Sequence, residues 1–158
     1  MDLLMAFPVS GAVVAAIVDF EDCDVISSHC WAVDSMGYAA SRKKRNHPRK
    51  LLHRLVANTP ADMKTDHRNG DKLDNRRSNL RVCTQAQNVM NCRKRNCHTT
   101  SKFKGVDLRG SKWRARIRRN GKAILLGQFD IEDDAGRAYD RAAKEYFGEF
   151  AKLNFPMS

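Results

Sequence analysis

The first 41 residues of this 158-residue chain contain no lysine or arginine, although the whole carries a formal net charge of +11 and a pI near 9.8. They hold six acidic side chains, Asp2, Asp19, Glu21, Asp22, Asp24 and Asp34, a net −6 that leaves +17 on the remaining residues. A basic n-region is missing from the N-terminus, and Pro8, Ser10 and Gly11 break the apolar start, so residues 1–20 read as neither signal peptide nor membrane span. Paired cysteines are also missing. Five are present, an odd number without framework spacing, which points to reduced thiols in a cytosolic protein. Cys92, Cys97 and His98 lack the paired C-x-x-C knuckles of a structural zinc site, so zinc is not expected, and Cys83 reads as a core residue. No sheet face rich in aromatics is evident, which argues against single-stranded bases stacking on this chain.

What is present is clustered positive charge. Lysine and arginine gathered in this way are the electrostatic footprint of a nucleic-acid binder whose affinity falls steeply with salt. Charge alone does not separate DNA from RNA. Two stretches are basic without an acidic residue: residues 41–50, SRKKRNHPRK, read as a hairpin tip or loop, and residues 91–100, NCRKRNCHTT, read as a linker tracking phosphates.

Residues 65–88, TDHRNGDKLDNRRSNLRVCTQAQN, carry the chemistry. Asp66 and His67 end a short extended segment, Asn69-Gly70 and Asp74-Asn75 are turn residues, and residues 80–83 return as a second strand. Thr84 and Gln87 form a capping box that opens a helix with Asn88 in its first turn. In a strand, loop, strand, helix unit of this kind, Asp66 and Asn88 can converge as oxygen ligands for one hard divalent ion, Mg2+ or Mn2+. His67 points to the other face of its strand and, with an ordinary pKa near ~6.5, suits a general base. An Asp-His pair or an Asn in a turn is ordinarily plain surface chemistry; the four positions together with the capping box carry the reading.

At these residues the chain resembles the HNH homing-endonuclease family, in the variant whose last histidine is replaced by asparagine. The resemblance implies that His67 is the catalytic base, that Asp66 and Asn88 hold the metal, and that Asn79 braces the loop by hydrogen bonds to backbone. The segment HRLVA, residues 53–57, also resembles the one that precedes the family's hairpin.

In the C-terminal third, residues 102–108, 113–119 and 122–129 read as three strands, with Asn120-Gly121 as a type I′ turn between the last two. Trp113, Ala115 and Ile117 alternate with Arg114, Arg116 and Arg118, giving one apolar face and one of guanidinium. Asp130 is expected to cap a helix over 132–147 whose alanine-rich stripe packs on the apolar face. With FKGV, KWRARI, LGQFD and AGRAYDRAA, this region resembles the plant ethylene-response-factor (Apetala-two-type) DNA-binding domain. That implies a sheet entering the major groove of double-stranded DNA, with Lys104, Arg109, Arg116 and Arg118 as contacts and Arg114 and Lys122 on the phosphate side. Asp107 and Leu125 depart from the plant pattern, which usually has a basic residue and an aromatic one there.

The expected fold is α+β: a strand-rich lead-in over 1–45, a ββα-metal nuclease core over 46–92, a basic linker over 93–100, and over 101–156 a three-stranded antiparallel sheet packed on one helix. The expected function is a metal-dependent DNA endonuclease of the homing type, a nicking monomer in the cytoplasm of a bacterial or phage-infected cell. A regulator that binds DNA on a silent HNH scaffold is the alternative.

Overall fold

The computed structural model describes residues 2–9, 12–41, 48–92 and 100–155. The chain divides into two compact units, Met1–Asn88 and Val89–Ser158, so the division falls inside a helix; most of the basic stretch 93–100, like 42–47, lies outside the described residues.

In the first unit, β1 (Asp2–Val9) and β2 (Ala12–Asp19) form an antiparallel hairpin. Helix α1 (Cys23–Ser27) leads to the pair β3 (Trp31–Val33) and β4 (Ala39–Ser41), then to α2 (Leu52–Val56). Ser41 N–H donates to the Lys50 carbonyl at 2.8 Å and Lys50 N–H to Ser41 Oγ at 2.9 Å. β5 (Lys64–His67) and β6 (Leu80–Cys83) pair antiparallel, and α3 (Gln85–Asn91) follows. Leu52 and Val56, one helical turn apart on α2, are buried with Ala16 and Val18 of β2 and with Ile26, Trp31, Ala39 and Leu80.

β2 thereby supplies core to the unit that holds the 65–88 motif. It also pins the motif's loop: Ile17 N–H donates to the Leu73 carbonyl at 2.8 Å, and Asn75 N–H to the Ile17 carbonyl at 2.7 Å. The acidity of the N-terminal segment has a structural use as well. Asp22, 1% exposed, accepts from Arg77 Nε at 3.1 Å and Nη2 at 2.6 Å, and Asp19 Oδ2 accepts from Arg77 N–H at 2.7 Å.

In the second unit, β7 (Val106–Arg109), β8 (Lys112–Arg119) and β9 (Lys122–Phe129) form one antiparallel sheet in the order β7-β8-β9, and α4 (Glu132–Phe147) packs on it. Asn120 and Gly121 have φ of 51° and 77°, as a type I′ turn requires. Ala115 and Ile117 are buried against Ala135, Ala138, Tyr139, Ala142 and Ala143.

Two local expectations are corrected. β7 begins at Val106 rather than 102, because Gly105 takes φ +77° and a Cβ there would lie 2.1 Å from the Tyr139 ring. The N-cap of α4 is Ile131, without a side-chain hydrogen bond; the Asp130 carboxylate is instead held by Lys112. Gly136 sits inside α4 because a Cβ would stand 2.9 Å from Phe155 and 3.0 Å from Phe103.

Candidate active site and nucleic-acid interface

The loop between β5 and β6 is built by asparagine and aspartate side chains that replace missing ladder bonds. Asn79 Oδ1 accepts from Asn69 N–H at 3.1 Å, while its amide donates to the Asp74 carbonyl at 2.7 Å and to Asn69 Oδ1 at 3.1 Å. Asp71 Oδ1 accepts from Leu73 N–H at 2.9 Å. Arg76 and Asp74 close the loop with hydrogen bonds of 2.8 Å from Nε and from Nη2. His67 leaves β5 into this braced loop and is 5% exposed.

The wholly buried Asn75 faces His67, and His67 Nε2–H donates to Asn75 Oδ1 at 3.4 Å. An amide oxygen only accepts, so this contact assigns the proton to Nε2 and makes Nδ1 the basic nitrogen. Burial lowers the His67 pKa, outweighing the opposing pull of Asn75 and of Asp66, Asp71 and Asp74, so the ring is neutral at neutral pH. Around it stand His53 from α2, in edge contact with centroids 5.1 Å apart, and Tyr38, 6.1 Å from His67 and 5.0 Å from His53. Lys72 Nζ lies 4.7 Å over the Tyr38 ring. His53 Nδ1 is buried without a hydrogen-bond partner among the described residues, and burial, with the charges of His67 and Arg54, pushes its pKa down to about 4.

Asp66 lies on the other face of β5, directly opposite Arg81 of β6. Both are buried, and Arg81 donates to Asp66 Oδ2 from Nε at 2.8 Å and from Nη2 at 2.7 Å. Asn88 is half-buried in the first turn of α3. The capping box forms reciprocally, with Thr84 N–H donating to Gln87 Oε1 at 2.9 Å and Gln87 N–H to Thr84 Oγ1 at 3.2 Å. Among the described residues, no three His, Cys, Asp or Glu side chains gather as a metal cage. Cys97 and His98 lie outside the described residues; Cys83 is 1% exposed, and burial pushes its thiol pKa up.

In the second unit, the face of the sheet away from α4 presents Arg109, Arg116 and Arg118 to solvent, with Arg114 half-buried; Lys122 is exposed at the hairpin end, opposite Arg119 and so on the other face by register. Lys104 is placed differently. Its Nζ donates to the Met90 and Cys92 carbonyls at 2.7 Å each, closing the end of α3 in the manner of a C-terminal cation, and burial lowers its pKa. Leu125 is 59% exposed opposite Arg116. Asp107 accepts from Arg114 Nε at 3.2 Å and Nη2 at 2.7 Å; burial raises its pKa, but Arg114, Arg116 and Arg109 outweigh that and hold it below the usual carboxylate range.

Asn75, Arg81, Tyr38 and His53 are site neighbours that sequence reasoning does not assign. Asn75 reads as turn chemistry, and Arg81 as one more strand residue; its position opposite Asp66 follows only once the register is known.

The HNH endonuclease family model matches residues 50–90. An uncharacterized HNH endonuclease of Acanthamoeba polyphaga mimivirus is 30% identical over 146 residues, covering 88% of this chain and 74% of the viral protein. The dehydration-responsive element-binding protein 2A of Arabidopsis thaliana is 46% identical over 59 residues, 35% of this chain and 18% of its own length. APETALA2-like protein 2 of Oryza sativa is 48% identical over 59 residues, 35% of this chain and 14% of its own length. The chain spans under a fifth of these plant proteins, whereas its match to the viral endonuclease runs through both units. The chain therefore belongs to the HNH endonuclease family and carries an Apetala-two-type C-terminal region.

Proposed function

We propose that this protein hydrolyses phosphodiester bonds of double-stranded DNA as a metal-dependent endonuclease of the homing type, held on its target by the basic sheet. The observation that carries the reading is the buried, neutral imidazole of His67, fixed by Asn75 beside the carboxylate of Asp66. The donor set suits a hard ion: Asp66 offers carboxylate oxygen and Asn88 amide oxygen, and water completes the shell of Mg2+ or Mn2+. When bound, such an ion polarises the scissile phosphate and stabilises the departing oxygen.

His67 takes a proton from water at Nδ1, and the resulting hydroxide attacks phosphorus as the P–O bond to the leaving sugar oxygen breaks. Asn75 keeps the other ring nitrogen protonated, and Asn79 holds the loop that carries both residues. Arg109, Arg116 and Arg118 supply the cationic face toward phosphates and groove, with Arg114 at its centre bound to Asp107 and Lys122 at the hairpin end beside it. One such site per chain makes a nick the default product, and a monomer suffices for it.

The Asp66–Arg81 pair favours a second reading, a DNA-binding regulator on a silent scaffold, because this carboxylate already has a cation. Plasmid relaxation with Mg2+ or Mn2+ against chelator, run beside a gel shift, separates the two. Ion-dependent nicking supports the endonuclease, and binding without nicking across the ions supports the regulator.

A further inference from the structure

The sheet face carries one carboxylate amid its arginines. Asp107 stands directly opposite Arg114 across β7 and β8, and that guanidinium grips both of its oxygens. Arg109, two residues along β7, brings Nε to 3.3 Å, and Arg116, two residues along β8, brings Nε to 3.5 Å. The Asp107 side chain remains 22% exposed.

A carboxylate is costly on a surface that serves only to hold phosphate, since it repels the ligand. Here it is locked in place by a fork from one side, which fixes the direction of its oxygens. An ionised carboxylate accepts and never donates, and has about four acceptor positions, more than the Arg114 fork fills. In the major groove the donors are the exocyclic amino groups of cytosine and adenine. Adenine sets its acceptor N7 beside that amino group, where a second acceptor is unwelcome, while cytosine presents a lone donor. The guanidinium groups flanking Asp107 match the O6 and N7 acceptors of guanine, the base on the opposite strand of the same pair.

We propose that Asp107 is a specificity-determining residue of the sheet, accepting a hydrogen bond from a cytosine N4 amino group while Arg109 and Arg116 beside it donate to guanine. This rests on the reading of the sheet as the DNA-binding face. Arg114 then acts as a positioning residue for the carboxylate rather than as a phosphate contact.

The test is enrichment of randomised duplexes by the full-length protein in chelator, for wild type, Asp107→Asn, Asp107→Ala and Arg116→Ala. Wild type is expected to enrich a site with one cytosine that loses about tenfold preference in Asp107→Ala. In Asp107→Asn that position shifts to adenine, which an amide reads in bidentate fashion, and the other positions hold. Identical sites from wild type and both Asp107 variants, with Arg116→Ala weakened, overturn the role of Asp107 and leave the sheet reading intact. Arg116→Ala binding as wild type does, with no site enriched by any protein, overturns both.

Discussion

The carboxylate of Asp66 and the guanidinium of Arg81 face each other across β5 and β6, both side chains 7% exposed and 2.7 Å apart. Such a pair is worth little as a net gain, yet removing one partner strands a buried charge. Arg81→Ala is expected to lose about 3–5 kcal/mol in urea denaturation. Asp66→Asn with Arg81→Met should recover most of that loss, because no unpaired charge remains. If Arg81→Ala loses under about 1 kcal/mol, the pair is as weakly coupled as a surface ion pair.

His67 and Asn75 give a second prediction. His67→Ala should lower the nicking rate by about 10²–10⁴ while target affinity in a gel shift stays within about twofold. Asn75→Ala, which removes the acceptor that fixes the ring, should lower it by roughly tenfold or more at unchanged affinity. Full activity in Asn75→Ala would show that the ring is oriented by something else.

The buried imidazole of His53 makes stability depend on pH. Its folded pKa, about 4, lies below the ordinary 6.5. Above pH 6.5 both states are neutral at this group and it contributes nothing; between 6.5 and about 4 the unfolded chain gains a proton that the folded one refuses, so stability falls with pH, then levels below about 4. At about 1.4 kcal/mol for each pH unit between the two values, the loss approaches roughly 3.5 kcal/mol, and His67, shifted the same way, adds to it. Urea midpoints for His53→Gln should fall less steeply over this range than those of wild type. Parallel curves would contradict the assignment.

Gly105 tests the second unit. With φ +77°, and a Cβ that would stand 2.1 Å from the Tyr139 ring and 2.6 Å from the Arg116 carbonyl, Gly105→Ala should cost roughly 3 kcal/mol. Its thermal transition should drop accordingly, whereas Gly110→Ala, with no atom within 4 Å of the added Cβ, should lose only the strain of its φ of +58°.

Thr84→Ala removes one half of the capping box. A loss of about 1 kcal/mol is expected, with Gln87→Ala losing less and the double variant less than the sum, since the two hydrogen bonds cap one turn together.

The elements built from local signals are the ones legible in the sequence. Strict alternation from Trp113 to Arg118, the Asn120-Gly121 turn, the alanine stripe of α4 and the Thr84–Gln87 box each specify structure within a few residues, and each appears in the fold. The start of β7 is not legible, because Gly105 is fixed by the ring of Tyr139, distant in sequence. Nor are the neighbours of His67: Tyr38, His53 and Asn75 arrive from three segments, and their meeting depends on how β2 and α2 pack. Lys104 shows the same limit from the other side. Its sequence position matches a contact surface, while its ammonium closes the end of α3.

The most direct test of the central claim is single-turnover cleavage of supercoiled plasmid by wild type and His67→Ala in Mg2+ or Mn2+, with chelator and with added imidazole. The account predicts nicking by wild type that chelator stops, nicking by His67→Ala slowed at least about a hundredfold, and partial return of the rate when free imidazole replaces the missing base. Cleavage by His67→Ala at the wild-type rate, or nicking that persists in chelator, would contradict it.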